Sequence, residues 1–205
     1  MLIRVCRTFI EYLNDSKYRE FLKKMVPIID SLIESASENF SINPLEIYIN
    51  VTKTDKYDES LTSDKALENS TVQKTFSEEI ANIRHHIKQF FDLLDAEAEN
   101  LPFSIRFMCQ QVFNNPNLTV KSKSRIINNI FFQTLTNMII IPESFDLTSK
   151  PGSSIKKNHR TLLTQFSRIL KDCCRNIEYS EKYMQPLNEL INENYARLEY
   201  ILKHN

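Results

Sequence analysis

Apolar side chains recur three or four positions apart along most of this chain, which is the spacing of one face of an α-helix. The longest such run goes from Thr71 to about Asn100 and carries Val72, Phe76 and Ile80 on one face. The same pattern, read with cap and turn residues, predicts further helices at about 3–13, 17–39, 44–51, 64–68, 103–113, 119–141, 155–175 and 179–203. Residues 52–62 and 146–154 lack the pattern and are predicted to be loops, the second one flexible.

The helix that Thr119 caps and Pro142 ends differs from the others, because it is apolar nearly all round. A helix without a clean polar face lies inside a protein, with other helices packed against most of its sides. Its length, about 20 residues, is that of a membrane span. Polar residues interrupt it and exclude that interpretation: Asn128, Asn129, Gln133, Thr134, Thr136 and Asn137. These residues are either satisfied inside the protein or open onto a groove.

Composition supports an all-α fold. The chain has 205 residues with one glycine and no tryptophan, which leaves few means of building tight hairpins or phosphate-binding loops. No repeat or low-complexity tract marks a boundary, so residues 1–205 are predicted to form a single domain. The formal net charge is zero, so no global field attracts the protein to nucleic acid or to an anionic membrane.

Nothing in the sequence predicts self-contained catalysis, a cofactor or a metal. His85 and His86 are adjacent, so they point in different directions on a helix, and the acidic residues near Asp92 lack the glycine of a calcium-binding loop. That acidic stretch is predicted to be a solvated helix end. The cysteines lack zinc-type spacing and are interpreted as reduced thiols of a cytosolic protein; they are Cys6, Cys109, Cys173 and Cys174.

Two groups of basic residues stand at the starts of predicted helices. The first group is Lys121, Lys123 and Arg125, and the second is Lys156, Lys157, His159 and Arg160. Either group alone is typical of a solvated helix face. Together with the polar residues of the central helix, they favour a groove for a negatively charged protein surface.

The segment Leu101–Phe107 reads Leu-Pro-Phe-Ser-Ile-Arg-Phe and resembles the Leu-Pro-x-x-(Ile/Leu/Met)-Arg-(Tyr/Phe) segment of Ras GTPase-activating domains. Residues 43–48, 61–67 and 130–146 and the last two helices support the resemblance, which is nearest to the GAP-related domain of a fungal IQGAP scaffold. It implies a RasGAP-like helical domain, part of a larger scaffold, with a shallow groove for the switch regions of a small GTPase.

An active member of that family inserts an arginine from a loop near the N-terminal side into the nucleotide pocket. Such a finger increases the rate by about 10³–10⁵. The resemblance places the finger loop at Phe9–Ser16, which contains no arginine, and Arg7 and Arg19 flank it. Active members also carry Phe-Leu-Arg in the central helix, where this chain has Phe131-Phe132-Gln133, and Asn-Pro-Ala, where it has Thr136-Asn137-Met138.

The missing arginines predict a domain that binds a Rho- or Ras-family GTPase, preferably with GTP bound, and does not stimulate hydrolysis. The predicted groove consists of Leu13, Asn14, Asp15, Ser16, Arg106, Lys121, Lys123, Gln133, Thr134, Thr136 and Asn137. Arg106 has a second interpretation, that of a structural residue pairing within the fold.

The resemblance further implies a cytoplasmic role at the actin cytoskeleton or division site. Actin and calmodulin would bind other segments of the parent scaffold. Two alternatives remain open. One is an active domain that uses Arg7 or Arg19, and the other is a structural or dimerisation module that binds no GTPase.

Overall fold

The computed structural model describes residues 16–54 and 60–204, and all regular structure in this part of the chain is helical. The prediction of an all-α fold is therefore confirmed. The α-helices are α1 (Ser16–Glu34), α2 (Pro44–Thr52), α3 (Ser63–Ala66), α4 (Ser70–Ala96), α5 (Phe103–Asn114), α6 (Val120–Ile127), α7 (Gln133–Ile140), α8 (Lys157–Arg175) and α9 (Asn188–His204). The predicted helix 3–13 lies outside the described residues.

Several helices begin at side chains that cap them. The side-chain oxygen of Asn43 accepts a hydrogen bond from the backbone N–H of Leu45 at the start of α2, at 3.0 Å. Asn69 does the same for Thr71 in α4, and Thr119 caps α6 as predicted. Helix α3 is capped by Thr62, one residue before the cap predicted from the sequence. These short side chains satisfy backbone donors that have no partner inside the helix.

Helix α1 passes Pro27 without being split, and it ends at Glu34 instead of near Asn39. Its end is local in origin. The hydroxyl of Ser35 donates to the carbonyl oxygen of Leu32 at 2.8 Å, which satisfies a carbonyl that a continuing helix would have bonded.

Helix α9 begins at Asn188, so the prediction of a helix from Tyr179 is wrong for its first nine residues. The side chain of Asn188 accepts from the backbone N–H of Tyr179 at 2.8 Å and donates to the Tyr179 carbonyl at 3.0 Å. Both backbone groups are therefore bonded outside a helical ladder. A short 3₁₀ turn at Gln185–Leu187 then leads into α9.

Helix α8 lies at the centre of the molecule, where it packs against α1, α6, α7 and α9. The buried side chains form one contiguous hydrophobic cluster. Its largest fully buried members are aromatic: Phe21, Phe90, Phe91, Phe131, Phe132 and Phe166. The single-domain assignment for residues 1–205 is compatible with this cluster and stays a prediction.

The central segment is not one uniform α-helix. Helices α6 and α7 are joined by a π-helical turn at Asn128–Phe132, which buries Ile130, Phe131 and Phe132. The segment is also not enclosed on all sides by other helices, because Gln133, Asn137 and Ile141 are exposed. The segment is thus a core element with one face open to solvent.

Part of the predicted flexible loop is bonded to a helix. Residues 147–150 of the predicted flexible loop are hydrogen-bonded to α1 through Asp30 and Glu34.

The three described cysteines are buried free thiols, as predicted; they are Cys109, Cys173 and Cys174. Burial raises the pKa of Cys109 to about 12. Across the described ranges, no helix is long and apolar enough to cross a membrane.

Candidate functional site

The open face of the central segment presents Gln133, Asn137 and Ile141 at successive four-residue intervals. In an α-helix, positions four apart drift round the axis by about 40° at each step, because each residue turns the chain by about 100°. The π-helical turn at Asn128–Phe132 takes up an additional residue and offsets part of this drift. Lys121, which is also exposed, therefore stays nearer to the same side of the segment.

A cleft of about 450 Å³ lies between this segment and the N-terminal half of α1. Its α1 wall consists of Tyr18, Arg19, Leu22 and Lys23, and its opposite wall consists of Met138, Ser144, Phe145 and Asp146. Phe145 is 42% exposed, so its ring offers apolar area to a partner. The cleft therefore combines apolar area from Leu22, Met138 and Phe145 with two exposed cations, Arg19 and Lys23, and one exposed carboxylate, Asp146.

The turn that carries this wall is held by Arg160 on α8. Its guanidinium donates to the carbonyl oxygen of Ile140 at 2.6 Å, and it is paired with the carboxylate of Glu143. The Arg160 hydrogen bond keeps the pKa of Glu143 below its ordinary value. Arg160 is therefore a structural anchor, and not a free member of the predicted basic group.

Two residues of the predicted groove have structural roles instead. Thr136 is fully buried, and its hydroxyl donates to the carbonyl oxygen of Phe132 at 2.7 Å. Lys123 is half-buried and donates to the carbonyl oxygen of Phe113 at 2.6 Å, where it caps the end of α5. The Thr136 hydroxyl is therefore enclosed in the core and the Lys123 ammonium is bonded within the fold. That these two residues contact a partner stays a prediction.

Arg106 is half-buried, and its Nε donates to the carbonyl oxygen of Leu101 at 3.0 Å. This bond holds the turn that precedes α5. The structure thus favours the second interpretation of Arg106, as a residue that pairs within the fold.

The remaining predicted groove residues have mixed positions. Gln133 and Asn137 are exposed, Thr134 is half-buried beside them, and Lys121 is exposed on α6. Ser16 is the first residue of α1. The other three finger-loop residues, Leu13, Asn14 and Asp15, lie outside the described residues, as does Arg7. The structure therefore brings together Gln133, Thr134 and Asn137 on one face of α7.

The second basic group lines a different cleft. Lys156, Lys157 and His159 border a space of about 650 Å³ between the start of α8 and residues 36–50. The side chain of Asn158 ties the two walls together by donating to the carbonyl oxygen of Ser37 at 2.7 Å. Glu38 and Glu46 occupy the opposite wall, so this cleft carries both signs of charge.

The predicted solvated acidic end of α4 is bonded to neighbouring helices. Asp92 and Asp95 accept from the guanidinium of Arg197 on α9, at 2.7 and 3.1 Å, and Glu97 pairs with Lys24 on α1 at 2.5 Å. The hydrogen bonds from Lys88 and Arg197, together with the charges of both side chains, keep the pKa of Asp92 below its ordinary value. These carboxylates therefore connect α4 to α1 and α9.

The adjacent histidines face different surroundings. His86 is buried, with its ring nitrogens near the Asn82 carbonyl oxygen at 2.9 Å and the Ser31 hydroxyl at 3.2 Å, whereas His85 is exposed. Burial lowers the pKa of His86. Within the described residues, no group of three or more His, Cys, Asp and Glu side chains could hold a metal ion.

Several residues that line the cleft were not predicted from the sequence as groove residues: Tyr18, Leu22, Lys23, Met138 and Phe145. Ile141 ends the apolar run that predicts the central helix, and Phe145 follows Pro142. The exposure of both depends on how the chain turns at that proline. Lys23 follows Arg19 by four residues on α1. This spacing places both on one helix face and is the one signal that would have paired them.

Sequence comparisons identify relatives of this chain. The Ras GTPase-activating-like protein rgaA of Dictyostelium discoideum is 24% identical over 216 residues, covering 97% of this chain and 26% of the relative. The Ras GTPase-activating-like protein gapA of the same organism is 22% identical over 206 residues, covering 91% of this chain and 24% of the relative. The chain thus spans about a quarter of the length of these relatives.

Residues 4–173 also match the RasGAP family, described as GTPase-activator protein for Ras-like GTPase. This match covers more than half of the sequence and includes the helices that build the cleft. The helical architecture is the one that the resemblance of Leu101–Phe107 implied. The chain therefore belongs to the RasGAP family.

Proposed function

We propose that this chain is a non-catalytic RasGAP-like domain that binds a Rho- or Ras-family small GTPase without stimulating GTP hydrolysis. The observation that carries the proposal is the exposed Gln133, which stands where active members have an arginine. Glutamine has neither the positive charge nor the rigid five-donor fork of a guanidinium. With no arginine at Phe9–Ser16 either, both groups expected to stabilise the transferring phosphate are missing.

The binding surface in this proposal is the face that surrounds the 450 Å³ cleft. Its centre is apolar, at Ile141 and Phe145, and its rim carries Arg19, Lys23 and Gln133. Protein interfaces commonly combine a buried apolar centre with a polar rim. The two cations favour an acidic edge on the partner and increase its rate of association. Binding of the GTP-bound form is the expected preference.

The wider role that we propose is that of an IQGAP-type scaffold supporting actin organisation and cytokinesis. The resemblance in Leu101–Phe107 and residues 130–146 supports it. In this role the chain works in the cytoplasm at the actin cytoskeleton or division site, and other segments of the scaffold bind actin and calmodulin.

A second candidate function is GTPase activation by Arg19. One observation favours it: Arg19 is exposed and lines the cleft, close to where a partner would dock. Its position within α1 argues against a finger role, because an arginine finger acts from a loop that reaches into the nucleotide pocket. Arg7 is the other arginine that flanks the loop.

Single-turnover GTP hydrolysis separates these two functions. A panel of Rho- and Ras-family GTPases is loaded with GTP and mixed with the chain, with an active RasGAP domain as the positive control. We expect unchanged or slower hydrolysis. An acceleration of about a hundredfold or more, lost in Arg19→Ala or Arg7→Ala, would show an active domain instead.

Binding is measured with the same panel, each GTPase being loaded with a non-hydrolysable GTP analogue or with GDP. The proposal expects at least one GTPase to be retained preferentially in its GTP-analogue form. If no GTPase binds, or if both forms bind equally, the surface does not read the switch regions. That outcome would favour a structural or dimerisation module.

A further inference from the structure

The segment that carries Phe145 lies along α1 and is bonded to two of its residues, Asp30 and Glu34. The carboxylate of Asp30 accepts from the Ser149 hydroxyl at 2.6 Å, from the Ser149 backbone N–H at 3.2 Å, and from the Thr148 hydroxyl. One turn further along α1, Glu34 pairs with Lys150 at 2.7 Å. These contacts join residues more than 100 positions apart in the sequence.

Two residues, Asp146 and Leu147, connect Phe145 to the residues that contact Asp30, and the backbone of each has a specific conformation or hydrogen bond. Asp146 has a φ of 54°, in the left-handed region that L-residues rarely adopt. Leu147 is fully buried, and its backbone N–H donates to the carbonyl oxygen of Pro142 at 2.9 Å. The chain thus turns sharply after Phe145, buries one side chain, and then reaches Asp30.

We propose that Asp30 is a positioning residue for the GTPase-binding face, holding the 145–150 segment on α1 so that Phe145 forms a wall of the cleft. The inference rests on the proposed function and adds a residue outside the cleft. Asp30 lies seven residues beyond Lys23 on α1, or about 10 Å along the helix axis. It acts on the partner only through Phe145.

The chemistry of this contact suits a fixed position. A carboxylate that accepts two or three hydrogen bonds is held in its ionised form. Partial burial by itself would raise the pKa of Asp30, but the bonds from Ser149 and Thr148 and the charge of Lys150 outweigh it and lower the pKa. The contact therefore persists throughout the neutral range.

The contact affects the conformational entropy that is lost on binding. A loop that is already fixed loses less conformational freedom when a partner binds. Freeing the 145–150 segment from α1 therefore weakens binding without removing any direct contact to the partner. Replacing Asp30 does not change the side chains of Phe145, Arg19 or Lys23. The effect of the replacement on GTPase affinity therefore measures how well Phe145 is positioned.

The test compares Asp30→Ala with the double variant Thr148→Val/Ser149→Ala, which removes hydroxyl donors to the same carboxylate. The matched control is Asp95→Ala, which removes a surface carboxylate bonded to Arg197 away from the cleft. Amide hydrogen exchange follows residues 147–150, and affinity is measured for the GTP-analogue form of a GTPase that binds the wild type. Thermal unfolding shows whether each variant is folded.

We expect Asp30→Ala to speed exchange at residues 147–150 about tenfold and to weaken GTPase binding about fivefold. The double variant should have similar effects, and combining all three changes should add little, since they break one contact. Asp95→Ala should leave both quantities unchanged.

An Asp30→Ala protein that is folded and binds as tightly as the wild type would overturn the positioning role alone. Unchanged exchange at residues 147–150 would also overturn it. If the wild-type chain binds no GTPase, the proposed function fails, and the positioning role fails with it. These results are distinguishable, because only the last involves the unmodified protein.

Discussion

The guanidinium of Arg160 on α8 donates to the carbonyl oxygen of Ile140 at 2.6 Å, across the end of α7. The last carbonyls of a helix have no partner inside it, and a cation at that end also interacts favourably with the helix dipole. The same guanidinium pairs with Glu143 in the turn that follows. One side chain thus caps the end of the central segment, which Pro142 terminates, and is bonded to the turn that leads to Phe145.

Replacing Arg160 should therefore destabilise the fold. We expect Arg160→Met to lower the free energy of unfolding by about 1–3 kcal/mol, since a charge-assisted hydrogen bond is lost and a carbonyl is left unpaired. Urea denaturation followed by circular dichroism measures this. Lys157→Met, at an exposed position on the same helix, is the control and should change stability by less than about 0.5 kcal/mol. Equal effects of the two would contradict the anchoring role.

Phe145 should contribute to partner affinity more than to stability. It is 42% exposed on the cleft wall, so Phe145→Ala removes apolar area that a partner would bury. We expect GTPase binding to weaken about tenfold, or by about 1.4 kcal/mol. Isothermal titration calorimetry measures the change. Phe103→Ala, at a 70% exposed position that does not line the cleft, should bind normally; a comparable loss there would argue against this face.

Thr136 and Gln133 should respond in opposite ways. Thr136→Val removes a buried hydroxyl that bonds the Phe132 carbonyl, and we expect about 1 kcal/mol less stability with unchanged binding. Gln133→Ala alters an exposed position, so we expect unchanged stability and weaker binding. Paired denaturation and affinity measurements check both variants. Weaker binding by a folded Thr136→Val protein would return Thr136 to the groove.

Stability should depend on pH through Asp172. This carboxylate is a buried residue of α8 and accepts from the Tyr179 hydroxyl at 2.7 Å. Burial raises the pKa of Asp172 above its ordinary value, and the Tyr179 hydrogen bond only partly opposes this. The folded state therefore binds the proton more tightly than the unfolded state, so this group's contribution to stability falls as pH rises through the raised pKa.

Asp172→Asn keeps an acceptor for Tyr179 and cannot ionise. We expect the stability of the wild type relative to this variant to decline between the ordinary aspartate range and neutral pH. Chemical denaturation at a series of pH values measures the difference. A constant difference, or one that grows with pH, would show that Asp172 is ionised in the fold without penalty.

The helices themselves were largely predictable from local chemistry. Apolar spacing gives α4 and α5, and Asn43 and Thr119 mark helix starts, because capping depends on residues only two or three positions apart. The predictions that failed involve distant partners. The segment from Tyr179 leaves the helical path because Asn188 bonds its backbone, and such a contact has no signature in a hydrophobic pattern.

Residue types also gave the family resemblance, through Leu101–Phe107, and the departure from active members, through Phe131-Phe132-Gln133. They could not say which side chains face outward. Thr136 and Asn137 are neighbours of similar polarity, yet one is fully buried and the other is exposed. Adjacent helical positions point about 100° apart, and only packing against neighbouring helices decides which direction is buried.

The sequence by itself therefore determined the helical class, most helix starts, the resemblance to RasGAP domains and the absence of arginine at Phe9–Ser16 and at Gln133. Tertiary structure decided the cleft between α1 and the Phe145 turn, the internal roles of Lys123, Thr136 and Arg160, and the contact of Asp30 with Ser149. The physical reason is the sequence distance over which each interaction acts. Helix propensity and capping act within a few residues, whereas burial and long-range hydrogen bonds exist only once separate helices have packed together.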